Sequence, residues 1–135
     1  MLDELLLTNI QLRLEKAKKC LRSADILLAE NEYADAANRS YYCIFHSMCA
    51  VLIIEGFSSK THSGNISEFR RKYIKTGIFS KDLSDILETA FTVRNKSDYD
   101  VFYVVVKSDV VQQIANAKIF LSEVEKYIDT IKEQE

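Results

Sequence analysis

The chain has 135 residues, 47% of them hydrophobic and 28% charged, and a formal net charge of -2 at pH 7. This length and composition predict one folded domain, residues 1–135, with a substantial apolar core. The near-neutral charge excludes a general duplex-DNA binder, which needs a strongly basic face, but it leaves room for a local basic patch.

The first two predicted helices run from about Leu5 to Glu30 and from about Tyr33 to Glu55, because apolar residues recur at steps of three and four. Asn31 is the predicted cap between them, and Gly56 stands where a left-handed residue would end the second helix. The second helix is apolar over most of its circumference, so we expect it to be central in the fold.

Three more helices are predicted in the second half of the chain, from about Asn65 to Lys75, from Lys81 to Lys96 and from Asp109 to Lys132. Ser80 and Ser108 are the predicted caps of the last two. The stretch "VFYVVV" at 101–106 has strand-like composition but no second strand to pair with, so it predicts a docked extended segment or a helix. The predicted fold class is all-α: an up-and-down antiparallel helical bundle of four main helices plus one short helix.

Cellular location follows from the cysteines and the apolar runs. The chain has three cysteines, an odd number, and all three lie in predicted helices rather than turns. This pattern predicts reduced thiols in the core and a cytoplasmic protein. The N-terminus lacks a basic region typical of a secretory signal, and the longest apolar run, "MCAVLII", is far short of a membrane span.

The stretch "NRSYYCIFHSMCAV" places polar groups on the central helix. Asn38, Tyr42 and His46 are spaced four apart and share one face, with Arg39 beside them. This pattern predicts either a polar strip that lines a groove or a core helix whose tyrosines and histidine bond to neighbouring helices.

A second polar cluster is "RNKSDYD", residues 94–100. Arg94 and Asp98 can pair at i, i+4, although the cation lies on the less favourable, N-terminal side. Asp98 and Asp100 also lie near the predicted end of their helix, where the helix dipole disfavours anions. Such a locally unfavourable choice indicates a site, and the alternative is a solvated helix end with an ordinary ion pair.

A third cluster joins "KTHSGN" at 60–65 to the basic run "RRKYIK" at 70–75. Lys60 and the start of a helix favour anions, and Tyr73 is available to stack on a base. The alternative is a capped helix with a basic solvated face. No metal or cofactor is expected, because the two histidines are sixteen residues apart and no metal or nucleotide motif is present.

Three stretches, "NRSYYCIFHSMCAVLIIEGFSSKTHSG", "RRKYIKTG" and "ETAFTVRNKSDYD", closely resemble small stand-alone members of the HEPN domain family. The resemblance implies a short helical bundle, often dimeric, commonly encoded beside a small nucleotidyltransferase. It also implies a toxin- or antitoxin-like role and binding of a nucleotide or RNA. Active members are metal-independent endoribonucleases in which an arginine is followed four to six residues later by a histidine.

The chain departs from that signature after Arg94. Positions 98–101 are Asp98, Tyr99, Asp100 and Val101, and no histidine follows. Tyrosine and aspartate are poor replacements for a general acid or base near neutral pH. Ribonuclease activity is therefore uncertain, and its candidate catalytic residues are Arg94, Asp98 and His46.

The leading hypothesis is a homodimeric HEPN protein that binds a nucleotide or RNA and acts with a minimal nucleotidyltransferase in a toxin–antitoxin-like module. Two alternatives remain: a metal-independent endoribonuclease using Arg94 with His46 or His62, and a pure protein-interaction module. The first hypothesis requires three distant segments to meet in one cleft. The predicted binding residues are Arg39, Tyr42, His46, Lys60, His62, Arg94, Asp98 and Tyr99.

Overall fold

The computed structural model describes residues 2–134, and helices account for most of them. The elements are α1 (Glu4–Ala29), α2 (Tyr33–Ile53), α3 (His62–Phe69) with a π-helical turn (Arg70–Ile74), α4 (Lys81–Tyr99) and α5 (Lys107–Glu133). No strand occurs within residues 2–134, which confirms the all-α helical bundle. None of the helices in this range is both long enough and apolar enough to cross a bilayer.

Helix α2 is the centre of the bundle, as predicted, because it contacts α1, α3, α4 and α5. It runs antiparallel to α1: Arg13 reaches His46, whereas Cys20, about two turns further along α1, reaches Arg39, which lies earlier in α2. The side chains of α2 are accordingly buried on several sides, with Ile44, Met48 and Val51 fully enclosed. A helix in this position can present residues to several neighbours at once.

One buried polar contact fixes α5 against α2. The Nε2 atom of Gln113 donates to the carbonyl of Ala37 (2.9 Å) and to the hydroxyl of Ser40 (2.7 Å). Gln113 is 5% exposed, so these bonds replace water that the amide has lost. The contact specifies the position of α5 along α2.

The cysteines are free and buried, as predicted for reduced core thiols. Burial raises the pKa of the Cys43 thiol to about 12 and that of Cys49 to about 11. Both are therefore protonated and unreactive near neutral pH.

Two predicted caps are wrong. Asn31 does not cap α2; it adopts a left-handed conformation (φ 62°) after the end of α1, and Glu32 precedes α2 without a side-chain cap bond. Helix α5 begins at Lys107, one residue before the predicted cap Ser108, because Val106 takes the extended conformation that precedes a helix. Gly56 is left-handed (φ 70°), as expected for a residue that ends the α2 region.

Helix α3 begins earlier than predicted, and this moves His62 from a loop into a helix. The Thr61 hydroxyl accepts from the Gly64 backbone N–H at 3.0 Å and caps the helix. Helix α4 continues to Tyr99 rather than ending near Lys96. Arg94 and Tyr99 therefore lie on one continuous helix.

The 101–106 segment is not a helix, and only part of it docks. Val105 is buried and Tyr103 is half-buried, but Val101, Phe102 and Val104 are 92%, 90% and 79% exposed. The segment begins with a turn, in which the Tyr103 N–H donates to the Asp100 carbonyl at 3.1 Å. The prediction of a docked extended segment is therefore wrong for residues 101–102 and for most of the side chains.

Candidate functional site

Arg94 lies where α4 passes α2, as the single-cleft hypothesis requires. Its Nη2 donates to the Tyr42 hydroxyl at 3.3 Å, and its guanidinium carbon is 5.8 Å from the ring centres of both Tyr41 and Tyr42. Rings at this range attract a cation and also shield it from water. Two segments more than fifty residues apart thus form one polar cluster.

The predicted i, i+4 pair between Arg94 and Asp98 is present. The Arg94 Nε lies 3.0 Å from the Asp98 Oδ2, and Nη1 donates to the Asn95 amide oxygen at 3.2 Å. The Nε–H is nevertheless not directed at the carboxylate, so this buried donor has no hydrogen-bond partner among the described residues. An unpaired buried donor is costly, so the Arg94 Nε–H is a candidate for an acceptor that the described residues do not supply.

His62 joins the same cluster from α3. Its Nδ1 is 2.8 Å from the Tyr41 hydroxyl, and its ring stacks on Phe45 with centres 4.1 Å apart. Burial and the nearby Arg94 charge lower the pKa of His62, so the imidazole is neutral at pH 7. Burial also raises the pKa of Tyr41, which keeps its hydroxyl protonated.

His46 is held by a residue of α1. The Nη1 of Arg13 lies 2.8 Å from His46 Nδ1, and arginine is an obligate donor, so Nδ1 must accept and the ring proton must sit on Nε2. Burial, together with the positive charges of Arg13, Lys16 and Arg39, lowers the pKa of His46 to about 4. His46 is therefore a neutral donor and not a cation at pH 7.

Arg39 flanks Tyr42 on α2. Its guanidinium carbon is 5.0 Å from the Tyr42 ring centre, and its Nε and Nη2 both donate to the Asn38 amide oxygen. Tyr42 therefore contacts one arginine through its ring and a second, Arg94, through its hydroxyl. We call Arg39, Tyr42, His46, His62 and Arg94 the arginine–aromatic cluster.

The remaining predicted residues lie around this cluster. Tyr99 is 76% exposed, with its ring centre 5.9 Å from the Arg94 guanidinium. Lys60 is exposed and lines a pocket with His62, but no contact joins it to Arg94. The structure thus brings seven of the eight predicted residues into or beside the cluster and leaves Lys60 at its edge.

The electrostatics of the cluster favour an anion. Arg13, Arg39 and Arg94 converge on it, and Asp98 is the carboxylate that pairs with one of them. Two neutral histidines and two tyrosines add donors that carry no negative charge. Within residues 2–134 no group of three histidine, cysteine, aspartate or glutamate side chains could hold a metal ion.

The basic run at 70–75 lies outside this cluster, and the predicted stacking role of Tyr73 is wrong. Tyr73 is 1% exposed and its hydroxyl donates to the Val51 carbonyl, so it cannot stack on a base. Three of its neighbouring cations form ion pairs with N–O distances of 2.7–2.9 Å: Arg70 with Glu88, Arg71 with Glu68 and Lys72 with Glu55.

Two site residues were not recognised from the sequence. Arg13 is absent from the predicted binding residues, although it lies three residues after buried Ile10 and four before buried Ala17, on the buried face. Tyr41 is also absent from them, and its hydroxyl bonds to His62. The spacing of Arg13 was therefore a usable signal, whereas the partner of Tyr41 depends on tertiary packing.

Comparison with known proteins identifies the class. The HEPN domain family model matches residues 10–127, and the chain therefore belongs to this family. The matched region contains the whole arginine–aromatic cluster.

The chain is also similar over most of its length to several known proteins. It is 33% identical over 117 residues to a UPF0332 protein of Thermotoga maritima, covering 87% of this chain and 89% of the relative. It is 30% and 31% identical to two proteins of Methanocaldococcus jannaschii, each named a putative toxin. These alignments cover 85% and 92% of this chain, and 78% and 87% of the relatives.

Proposed function

We propose that this protein binds the phosphate of a nucleotide or of RNA on the arginine–aromatic cluster. The observation that carries the proposal is the Arg94 guanidinium, which has a buried Nε donor without a hydrogen-bond partner among the described residues. A phosphate offers several strong acceptor oxygens, and arginine binds it with more than one N–H. Tyr42 and Asp98 hold the guanidinium in place, so little ordering is needed on binding.

An exposed aromatic ring beside Arg94, and a second one further along the chain, favour a nucleic-acid ligand over a simple anion. Tyr99 and Phe102 are 76% and 90% exposed, at the end of α4 and just after it. Bases stack on such rings with little sequence preference, at roughly 1–3 kcal/mol per base. The phosphate would lie on Arg94 and a base on Tyr99.

We place this binding activity in a toxin–antitoxin-like module with a minimal nucleotidyltransferase as partner. The support is family membership, together with the name "putative toxin" carried by two relatives. The exposed apolar side chains of the 101–106 segment support a protein contact next to the cluster, and a homodimer would cover them.

Binding of a fluorescent single-stranded RNA pentamer, measured by anisotropy in buffer with a chelator, tests the proposal. Arg94→Ala removes charge-assisted hydrogen bonds of roughly 1.5–3 kcal/mol and should weaken binding roughly 10- to 100-fold. Arg71→Ala, at an exposed arginine paired with Glu68, is the matched control and should bind like the wild type. Equal loss in both variants, or no binding by the wild type, would refute the proposal.

A second candidate function is metal-independent RNA cleavage, favoured by His62. This imidazole shares the Tyr41 ring with Arg94, and its lowered pKa leaves it neutral and able to accept a proton. RNA cleavage that persists in chelator and disappears in both Arg94→Ala and His62→Ala would establish it. Binding without cleavage would assign the protein to the first function.

A further inference from the structure

A separate pocket of about 190 Å³ lies behind His62, between α1, α2 and the 57–60 loop. Its walls include Phe45, Leu52 and Phe57, and Arg13 and Lys60 also line it. None of the residues that line it is acidic. The pocket therefore combines aromatic and aliphatic side chains with polar and cationic ones.

The loop that walls the pocket is held firmly in place. The Asn65 amide accepts from the Ser59 backbone N–H at 3.0 Å and donates to the Ser59 and Thr61 carbonyls, each at 3.2 Å. At Gly64, a Cβ atom would clash with the Ser59 hydroxyl and lie 2.8 Å from the Thr61 hydroxyl oxygen. This close packing means that the pocket exists before any ligand arrives, as is usual for small-molecule sites.

The chemistry of the pocket matches one flat ring attached to an anion. Its volume is below the ~300–1,000 Å³ of sites for drug-sized ligands, so it accommodates one ring system. Arg13 and Lys60 form no ion pair with the described residues, so their charges are available to a phosphate. A nucleobase with its adjoining phosphate has this combination of a flat ring with polar edges and a negative charge.

Two side chains connect the pocket to the arginine–aromatic cluster. His62 lines the pocket, stacks on Phe45 and bonds to Tyr41. The positive charge of Arg94 also lowers the pKa of this histidine. Arg13 lines the pocket and bonds to His46. The pocket therefore borders the arginine–aromatic cluster at His62 and, through Arg13, at His46.

We propose that this pocket is a second nucleotide subsite, which takes the base of a nucleotide adjacent to the one whose phosphate lies on Arg94. The ligand class is then single-stranded RNA of at least two nucleotides and not a mononucleotide. This inference rests on the proposed function of the arginine–aromatic cluster, and it adds a second contact that a mononucleotide cannot make. Arg13 and Lys60 hold the connecting phosphate.

The test compares a single-stranded RNA pentamer with AMP as probes. Ser58 is exposed and lines the pocket, so Ser58→Leu fills the pocket without disturbing the core. This variant should weaken pentamer binding about fivefold or more, by the loss of one base contact, and leave AMP binding unchanged. Ser122→Leu, at an exposed serine of α5, is the matched control and should bind both probes like the wild type. Lys60→Ala should weaken the pentamer selectively, and Lys132→Ala should not.

The outcomes separate the subsite from the proposed function. If Arg94→Ala weakens both probes but Ser58→Leu and Lys60→Ala leave the pentamer unaffected, the subsite is excluded and the phosphate site stands. If the wild type binds AMP as tightly as the pentamer, the subsite is also excluded. If the wild type binds neither probe, the proposed function fails, and the subsite fails with it.

Discussion

The Nη1 of Arg13 lies 2.8 Å from the Nδ1 of His46 and joins α1 to α2. Because arginine can only donate, this contact exists only while His46 is neutral. The same arginine lines the pocket beside the cluster. One side chain of α1 therefore adds to burial in keeping a histidine on α2 neutral, and it also supplies a cationic group to the neighbouring pocket.

This contact predicts a specific pH dependence of stability. The pKa of His46 is about 4 in the folded protein and 6.5 as its ordinary value, so between these pH values the unfolded chain takes up a proton that the folded chain does not. The free energy of unfolding should fall as the pH drops from about 6.5 towards 4. Urea unfolding at pH 7, 5 and 4 measures this.

His46→Gln is the control, because it removes the titrating ring and should flatten this part of the pH profile. His62, whose pKa is also lowered, contributes in the same direction and remains in that variant. NMR titration of the His46 ring gives the independent check. A His46 pKa near 6.5 in the folded protein would contradict the account.

Gln113 provides the second prediction. Gln113→Ala removes both bonds to α2 and opens a cavity, so it should lower the free energy of unfolding by about 2–4 kcal/mol. Gln112→Ala is the neighbouring control: Gln112 is exposed and bonds only within α5 to Asn116, so the change should be within about 0.5 kcal/mol. Similar effects in the two variants would show that Gln113 does not fix α5.

Gly64→Ala should destabilise the protein, although alanine usually stabilises a helix relative to glycine by roughly 1 kcal/mol. The added Cβ meets the hydroxyls of Ser59 and Thr61, which should cost about 1–3 kcal/mol. The cost should be smaller in a Ser59→Ala background, where one of those groups is gone. A gain in thermal stability for Gly64→Ala alone would show that the Ser59 and Thr61 hydroxyls do not crowd this position.

The cysteines should resist alkylation in the folded protein. Cys43 and Cys49 combine burial with pKa values raised to about 12 and about 11. Iodoacetamide at pH 8 should leave both unmodified, and denaturant should make all three cysteines reactive, as counted by mass spectrometry. Rapid modification of Cys49 in the native protein would show that the pocket wall opens.

The helices themselves could be predicted from the sequence, because apolar periodicity reflects the burial that also stabilises them. Their ends could not be placed as well. Asparagine is common at helix N-caps, but Asn31 instead adopts the left-handed conformation after α1. Thr61, which caps α3, was not predicted as a cap. Such choices depend on a few backbone angles, which periodicity does not report.

The candidate site could be predicted in part. Conflicts between local preference and residue choice correctly marked Arg94 and Asp98 as a pair. Charge alone could not show that Glu55, Glu68 and Glu88 form ion pairs with three of the cations at 70–75 from other turns and helices. Tyr73 could not be judged either, because its burial depends on the aromatic neighbours Phe69 and Phe79.

The most direct test of the central claim is an NMR titration of arginine side-chain N–H signals with a single-stranded RNA pentamer. The Arg94 Nε–H has no hydrogen-bond acceptor among the described residues, so a bound phosphate should shift its signal strongly, while the Arg71 signal, already bonded to Glu68, should stay in place. A shift confined to Arg71, or an Arg94 signal unchanged at saturating RNA, would show that the arginine–aromatic cluster does not hold the phosphate.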